Sequence, residues 1–400
     1  QEGMLDRLAG AGATIDTAEH RAALPGDLVE RAVSSAAKQH VLYGRNPERR
    51  AEFGQGRPNA MSSAGQFAWF DVATRSRREP HIDDLRRGIR VGHHLPSIDV
   101  VGAMVSPAEV PTAIRDVVVH YELLSGTDKP IAGWVRNGAS ARTIIDMMAA
   151  VRGGRQALAQ RPLTAAFVEP ISPLTFCRES IEILTEFARA GLPVGIGPMA
   201  ICGVTAPATL AGTVVQENAE ILAGVTMAQL VAPGLPVVYW GIPHAMDART
   251  AGISFGAPEQ GLLAVAMAQL GRRYGLPTGL NVGLTDSLLP DGQSGLDVVD
   301  QDDGALRTAD RLTDPLGVLG RRDLHVELGR DGVGKRNRRG HEHRGGEHVV
   351  LGLADKVSRD VNRISGVVGE DRDLGRARLG VDSDDALQRA LRRGDVDVAG

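Results

Sequence analysis

From Pro96 onward, short apolar runs alternate with stretches whose apolar residues recur at helical spacing. The runs cover residues 100–106, 130–135, 163–168, 192–201, 235–242 and 278–284. Helices are predicted between them over 112–125, 141–151, 178–190, 208–230 and 258–274. Gly191 and Gly275 stand where the third and fifth of these helices should stop. Before Pro96 the pattern is mixed. A helix over 28–37 follows Pro25, strands are read at 40–43 and 67–72, and a second helix spans 83–94. Asp83 and Asp84 sit favourably in its first turn.

Continuous apolar strands between amphipathic helices indicate a parallel sheet covered on both faces. Two architectures use that pattern, the doubly wound sheet and the eight-stranded barrel. Each repeat takes roughly 30–45 residues, close to the barrel norm. Gly195 and Gly197 lie inside the fourth run just before Pro198, so they cannot open a phosphate-binding helix. The expectation is an α/β chain with a (β/α)8 TIM-type barrel. It divides into a mixed α/β region at 1–95, parallel barrel units at 96–296, and an atypical tail at 297–400. The barrel is expected to be incomplete at the C-terminus.

Composition supports that last boundary. All aromatic residues, methionines and cysteines precede residue 275, and the last hundred residues are rich in Arg, Gly and Asp. The tail balances 19 basic against 19 acidic residues and has no sustained periodicity. It reads as a disordered charge-balanced segment, a small polar domain, or the product of a shifted reading frame. His341, His343 and His348 lie within it among Gly and Arg, a poor metal set.

Net charge is −4, so no basic surplus is available to neutralise phosphates, and nucleic-acid binding is not expected. No apolar run reaches membrane-spanning length. Two cysteines exclude a disulfide scaffold, and both Cys177 and Cys202 are expected to be buried, inert thiols. No charged-then-apolar leader is read, and the opening Gln1 suggests a trimmed chain. A cytoplasmic protein is the default expectation.

Barrel active sites lie at the C-terminal ends of the strands. Those ends supply Ser106, Arg136, Asn137, Glu169, Met199, Cys202, Asn281 and Asp286, together with a cluster of Tyr239, Trp240, His244, Asp247 and Arg249. Aromatic faces beside a carboxylate suit a methylated ammonium, and a guanidinium suits a carboxylate. Alternation along a strand lets only one of Tyr239 and Trp240 face the lumen. Asp247 and Arg249 equally form a local ion pair. Glu169 and Asp286 serve as site groups or loop anchors. Lys38 and Lys129 are the only lysines before residue 300, and Lys129 precedes the second strand. That leaves no strand-end lysine for Schiff-base chemistry. No His or carboxylate set at the strand ends suits a metal.

Several long segments resemble the trimethylamine methyltransferase family. They are LPGDLVERAVSSAAKQHVLYGRNP (24–47), VEPISPLTFCRESIEILTEFARAGLPV (168–194), APATLAGTVVQENAEILAGVTMAQLV (206–231), PGLPVVYWGIPHAMDART (233–250), FGAPEQGLLAVAMAQLGRRYGLP (255–277) and GLTDSLLPDGQSG (283–295). The likeness spans about residues 1–296. It implies a barrel that moves a methyl group from an N-methylated amine to the cobalt(I) of a corrinoid held by a partner protein. No directly bound cofactor and no metal are then expected. The substrate-binding candidates are Glu169, Tyr239, Trp240, His244, Asp247, Arg249 and Asp286. Some members carry pyrrolysine, proposed to activate tertiary amines. None is present here, which favours quaternary, betaine-like amines over trimethylamine. A homo-oligomer fits the same family picture. The alternative is an inactive relative lacking its last strands.

Overall fold

A computed structural model describes residues 2–289, 291–294 and 395–398. The readings for the tail at 297–400, and for missing barrel strands, lie outside the described residues except for one strand. That strand, Asp395–Val398, pairs with Arg21–Ala23 and Thr175–Phe176.

The six apolar runs form six short strands: β1 (Val101–Gly102), β2 (Ile131–Ala132), β3 (Ala166–Val168), β4 (Val194–Ile196), β5 (Val237–Gly241) and β6 (Thr278–Leu280). Within each ladder neighbouring strands are parallel and follow sequence order. Backbone ladders join β1 to β2, β3 to β4, β4 to β5 and β5 to β6. Ile131 N–H donates to the Leu163 carbonyl at 3.0 Å and carries the order across from β2 to β3. Residues 60–66 run parallel along the other edge of β1, through Met61 beside Val100 and Gln66 beside Val105.

The strands are shorter than the runs that announce them. In the fourth run the ladder ends at Ile196, and Pro198 has no N–H to continue it. The apolar residues beyond it lie in a loop and in the short outer strand Ile201–Cys202.

The helices are α1 (Glu2–Gly10), α2 (Gly26–Ser35), α3 (Ile82–His94), α4 (Arg115–Gly126), α5 (Gly138–Arg152), α6 (Arg155–Gln160), α7 (Arg178–Arg189), α8 (Leu210–Val231) and α9 (Pro258–Arg273). Local chemistry sets their ends. The Asn137 side chain accepts from Ser140 N–H to start α5, and Gly153, at φ 89°, stops it. Thr209 caps α8, and Pro258 takes the first position of α9. From α3 to α5 and from α7 to α9 each helix packs on the next, with α5 against α7. Consecutive neighbours of this kind make one helical layer outside the sheet. α8 is apolar on nearly every side because α1, α2, α7, α9 and β5 all pack on it.

The N-terminal region covers the end of the sheet where strands begin. Ser35 hydroxyl meets Gln229 at 3.2 Å, Arg7 donates to the Leu230 carbonyl at 3.1 Å, and Tyr43 N–H donates to Pro162 at 2.7 Å. Gly44 is required there, since a Cβ would stand 1.9 Å from the Asp128 carbonyl oxygen. Lys129 is buried at the same end. Its ammonium caps the carbonyls of Gly92, Leu95 and Ile98 at 2.7–2.9 Å. With that end filled, chemistry is left to the opposite end.

Among the described residues, no helix is long and apolar enough to cross a membrane. The cysteines differ from expectation, because both are half-exposed. Cys177 occupies the cap position of α7, and Cys202 lies in a short strand beyond β4, outside the packed layers.

Candidate active site

Exposure alternates along β3 and its exit. Thr164, Ala166, Val168 and Pro170 are buried, while Ala165, Phe167 and Glu169 are half-buried. Phe167 and Glu169 therefore share the face turned away from the helices. On that face Phe167 meets Trp240 of β5 edge to face at 5.3 Å, and meets Trp134, beyond β2, at 5.0 Å. Trp134 stays 41% exposed. The three rings make a continuous aromatic wall.

Glycines make room for it. A Cβ on Gly195 would come within 2.9 Å of the Trp240 ring, and one on Gly279 within 2.5 Å. A Cβ on Gly197 would lie 2.2 Å from Phe167. The glycines of β4 and β6 thus hold space for rings borne by β3 and β5.

Among the described residues the Glu169 carboxylate has no hydrogen-bond or ion-pair partner, and its backbone carbonyl accepts from the Ser180 hydroxyl at 2.9 Å. Burial pushes its carboxyl above the usual range. A cation at the wall would reverse that shift.

Tyr239 faces the other way. It is fully buried, and its hydroxyl donates to Asn218 of α8 at 2.7 Å. Burial holds that hydroxyl well above its ordinary range. Of the two adjacent aromatics, Trp240 alone stands on the wall.

The remaining predicted residues gather in the loops past β4 and β5. His244–Asp247 pairs with Ile201–Cys202 and with Gly252–Ile253 in a small outer sheet. His244 is fully buried against the edge of Phe255 at 4.9 Å. Among the described residues neither ring nitrogen has a partner, and burial lowers its pKa to about 4, so the ring is neutral. Asp247 accepts from Arg249 N–H at 2.9 Å and from the Thr250 hydroxyl at 3.0 Å, which closes a turn. The Arg249 side chain is 88% exposed and reaches Asp247 only at 4.0 Å. Asp286 is exposed and accepts from Phe255 N–H at 3.1 Å, tying two loops. The wall therefore brings Glu169 and Trp240 together, while Tyr239, Asp247, Arg249 and Asp286 engage other partners.

Sequence reading missed two carboxylates on α8. Glu217 is fully buried and accepts from Ala200 N–H and from Ile242 N–H, each at 2.9 Å. Glu220, also fully buried, accepts from the Ser172 hydroxyl at 2.7 Å, Leu174 N–H at 2.9 Å and Gln216 at 3.0 Å. Burial raises both carboxyls, Glu217 well above the usual range despite its two donors. The available signal was a charged pair three residues apart in a helix whose other residues are all uncharged and mostly apolar. Such a helix has no wet face to place them on. Phe167 and Trp134 were missed because wall membership needs neighbouring strands. Among the described residues, no group of His, Cys, Asp or Glu is arranged to hold a metal ion.

A sequence model of the trimethylamine methyltransferase family matches residues 1–306. The chain is 31% identical over 290 residues to a trimethylamine methyltransferase of Desulfitobacterium hafniense, covering 72% of this chain and 58% of that protein. It is 30% identical over 276 residues to a glycine betaine methyltransferase of the same species, covering 69% and 57%. A proline betaine:corrinoid methyltransferase of Eubacterium limosum is 40% identical over 137 residues, covering 34% and 28%. The chain thus spans just over half the length of the first two relatives.

Proposed function

Since the chain belongs to the trimethylamine methyltransferase family, we propose that it moves a methyl group from a methylated ammonium compound to the cobalt(I) of a corrinoid carried by a partner protein. The sequential parallel strands and single helical layer support a (β/α)8-type barrel as its frame. The division at residues 95 and 296 is part of the same proposal.

The observation that carries the reading is the Trp134–Phe167–Trp240 wall with, on the same face, the Glu169 carboxylate, unpartnered among the described residues. A permanent organic cation is attracted by ring faces at about 0.5–2 kcal/mol each, more where water is excluded. Glu169 supplies the counter-charge. Arg136 is exposed two residues beyond Trp134 and makes no ion pair among the described residues. It suits the carboxylate of a betaine-like substrate.

In the transfer the carbon–nitrogen bond breaks and its electron pair leaves with nitrogen. The cobalt(I) pair forms the new bond to carbon. A quaternary nitrogen departs as a neutral amine, so no proton has to be supplied. The cation's charge disappears along this path. Wall and carboxylate therefore favour the bound substrate more than the transition state, and their contribution is binding and orientation. The transfer from a quaternary nitrogen needs no general base.

The test is to mix the protein with cob(I)alamin and, separately, trimethylamine, tetramethylammonium or glycine betaine. Loss of the cobalt(I) spectrum and growth of methylcobalamin supports the reading. A cation that binds without any spectral change identifies a non-catalytic relative. No binding and no change with any of the three removes the reading.

A further inference from the structure

We infer that Glu217 is a positioning residue that sets the Trp240 ring by clamping the exits of β4 and β5. The inference rests on the reading that the aromatic wall is the substrate face.

One carboxylate oxygen takes Ala200 N–H beyond β4, and the other takes Ile242 N–H, two residues after Trp240. The Ala200 carbonyl in turn accepts His244 N–H at 3.0 Å. A single side chain thus joins both strand exits that flank the wall, from a helix that packs on both strands. Glu217 is fully buried, a costly place for a carboxylate unless both oxygens are used. The Trp240 ring lies over Gly195 and Gly279 and meets Phe167 edge to face, so its place follows the β5 backbone that Glu217 holds two residues on. Glu220, one turn along α8, holds the 172–174 loop instead and touches neither exit.

An amide in place of the carboxylate keeps the size but has only one acceptor oxygen, so one of the two N–H groups loses its partner. Glu217→Gln and Glu220→Gln are therefore compared in protein labelled with 5-fluorotryptophan. The three indoles, Trp69, Trp134 and Trp240, are assigned by single substitution. Glu217→Gln is expected to shift the Trp240 fluorine resonance and to weaken tetramethylammonium binding by about tenfold or more, the scale of a misplaced binding group. Glu220→Gln is expected to leave the Trp240 resonance in place. An unmoved Trp240 signal in Glu217→Gln, or an equal shift in both variants, overturns the inference.

If Glu217→Gln does not fold, hydrogen exchange of the unaltered protein decides. The clamp requires the amides of Ala200 and Ile242 to be among the slow ones, and loop-like rates there overturn it. Absence of cation binding by the unaltered protein would remove the proposed function, while the resonance and exchange measurements still decide the role of Glu217.

Discussion

Trp240 and Gly279 are neighbours across β5 and β6, and a Cβ on the glycine would stand 2.5 Å from the fused edge of the indole. The two positions are paired in the ladder, Trp240 opposite Gly279. A flat ring on one strand is accommodated because the adjacent strand has no side chain at that place.

Gly279→Ala therefore tests the wall directly. The added methyl meets the middle of a rigid ring and must displace it, at about 1–3 kcal/mol of stability. Cation affinity is expected to fall at least severalfold by isothermal titration. Gly261→Ala in α9 is the control, because nothing lies within 4 Å of its Cβ position. It is expected to stabilise the protein by roughly 0.5–1 kcal/mol through helix propensity and to leave binding unchanged.

Glu169 predicts the pH dependence of binding. Its carboxyl is raised by burial, so it becomes protonated on acidification before an ordinary glutamate. The protonated form offers no counter-charge. Affinity for tetramethylammonium should rise with pH as Glu169 ionises and then level off. Glu169→Gln should bind more weakly above that transition and show a flatter profile. An unchanged profile in the variant would place the counter-charge elsewhere.

Tyr239→Phe separates the two adjacent aromatics. Removing the hydroxyl leaves the buried Asn218 oxygen without its donor, at about 1–3 kcal/mol in denaturant unfolding. Cation binding should not change, since Tyr239 faces α8. A large loss of affinity with stability intact would contradict the assigned orientation.

Acid stability should reflect two neutral imidazoles. Burial lowers His40 and His244 to about 4 from 6.5, and His40 stacks on Phe53 at 4.6 Å. An unfolded chain takes up those protons first. Their stabilisation is thus fully present above pH 6.5 and is lost as pH falls towards 4, at most roughly 3 kcal/mol each. The raised carboxyls of Glu169, Glu217 and Glu220 act oppositely, since the folded state binds their protons first. Urea unfolding at pH 7 and pH 4.5 should show a smaller loss for His40→Phe than for the unaltered protein.

Much of the fold was legible because its signals are local. The six apolar runs contain the six strands, and the helices of 178–190 and 258–274 were placed to within a residue. Gly191 and Gly275 do take positive φ at their ends. The excursion strands at Ile201–Cys202 and His244–Asp247 were not separable from the apolar runs around them. Only Pro198 and Pro243 hint at the breaks, and pairing between the two segments is long-range.

Of the proposed wall, the sequence named only part: Glu169 and Trp240 were named from their places at strand ends, and both stand on the aromatic face. Tyr239, Asp247 and Arg249 were grouped with Trp240 by nearness in sequence. Strand alternation and a tight turn send them elsewhere.

The alternation of strand and helix, helix periodicity and the strand-end positions of Glu169 and Trp240 are properties of contiguous residues, and the sequence by itself determined them. The wall was decided only by tertiary structure. Trp134, Phe167, Gly195, Trp240 and Gly279 come from five strands or strand exits, and each ring finds its place through an empty position on its neighbour. The seat of Glu217 is of the same kind. No local pattern records which backbone N–H groups a buried carboxylate will meet, because packing of α8 against two strand exits creates that acceptor's partners.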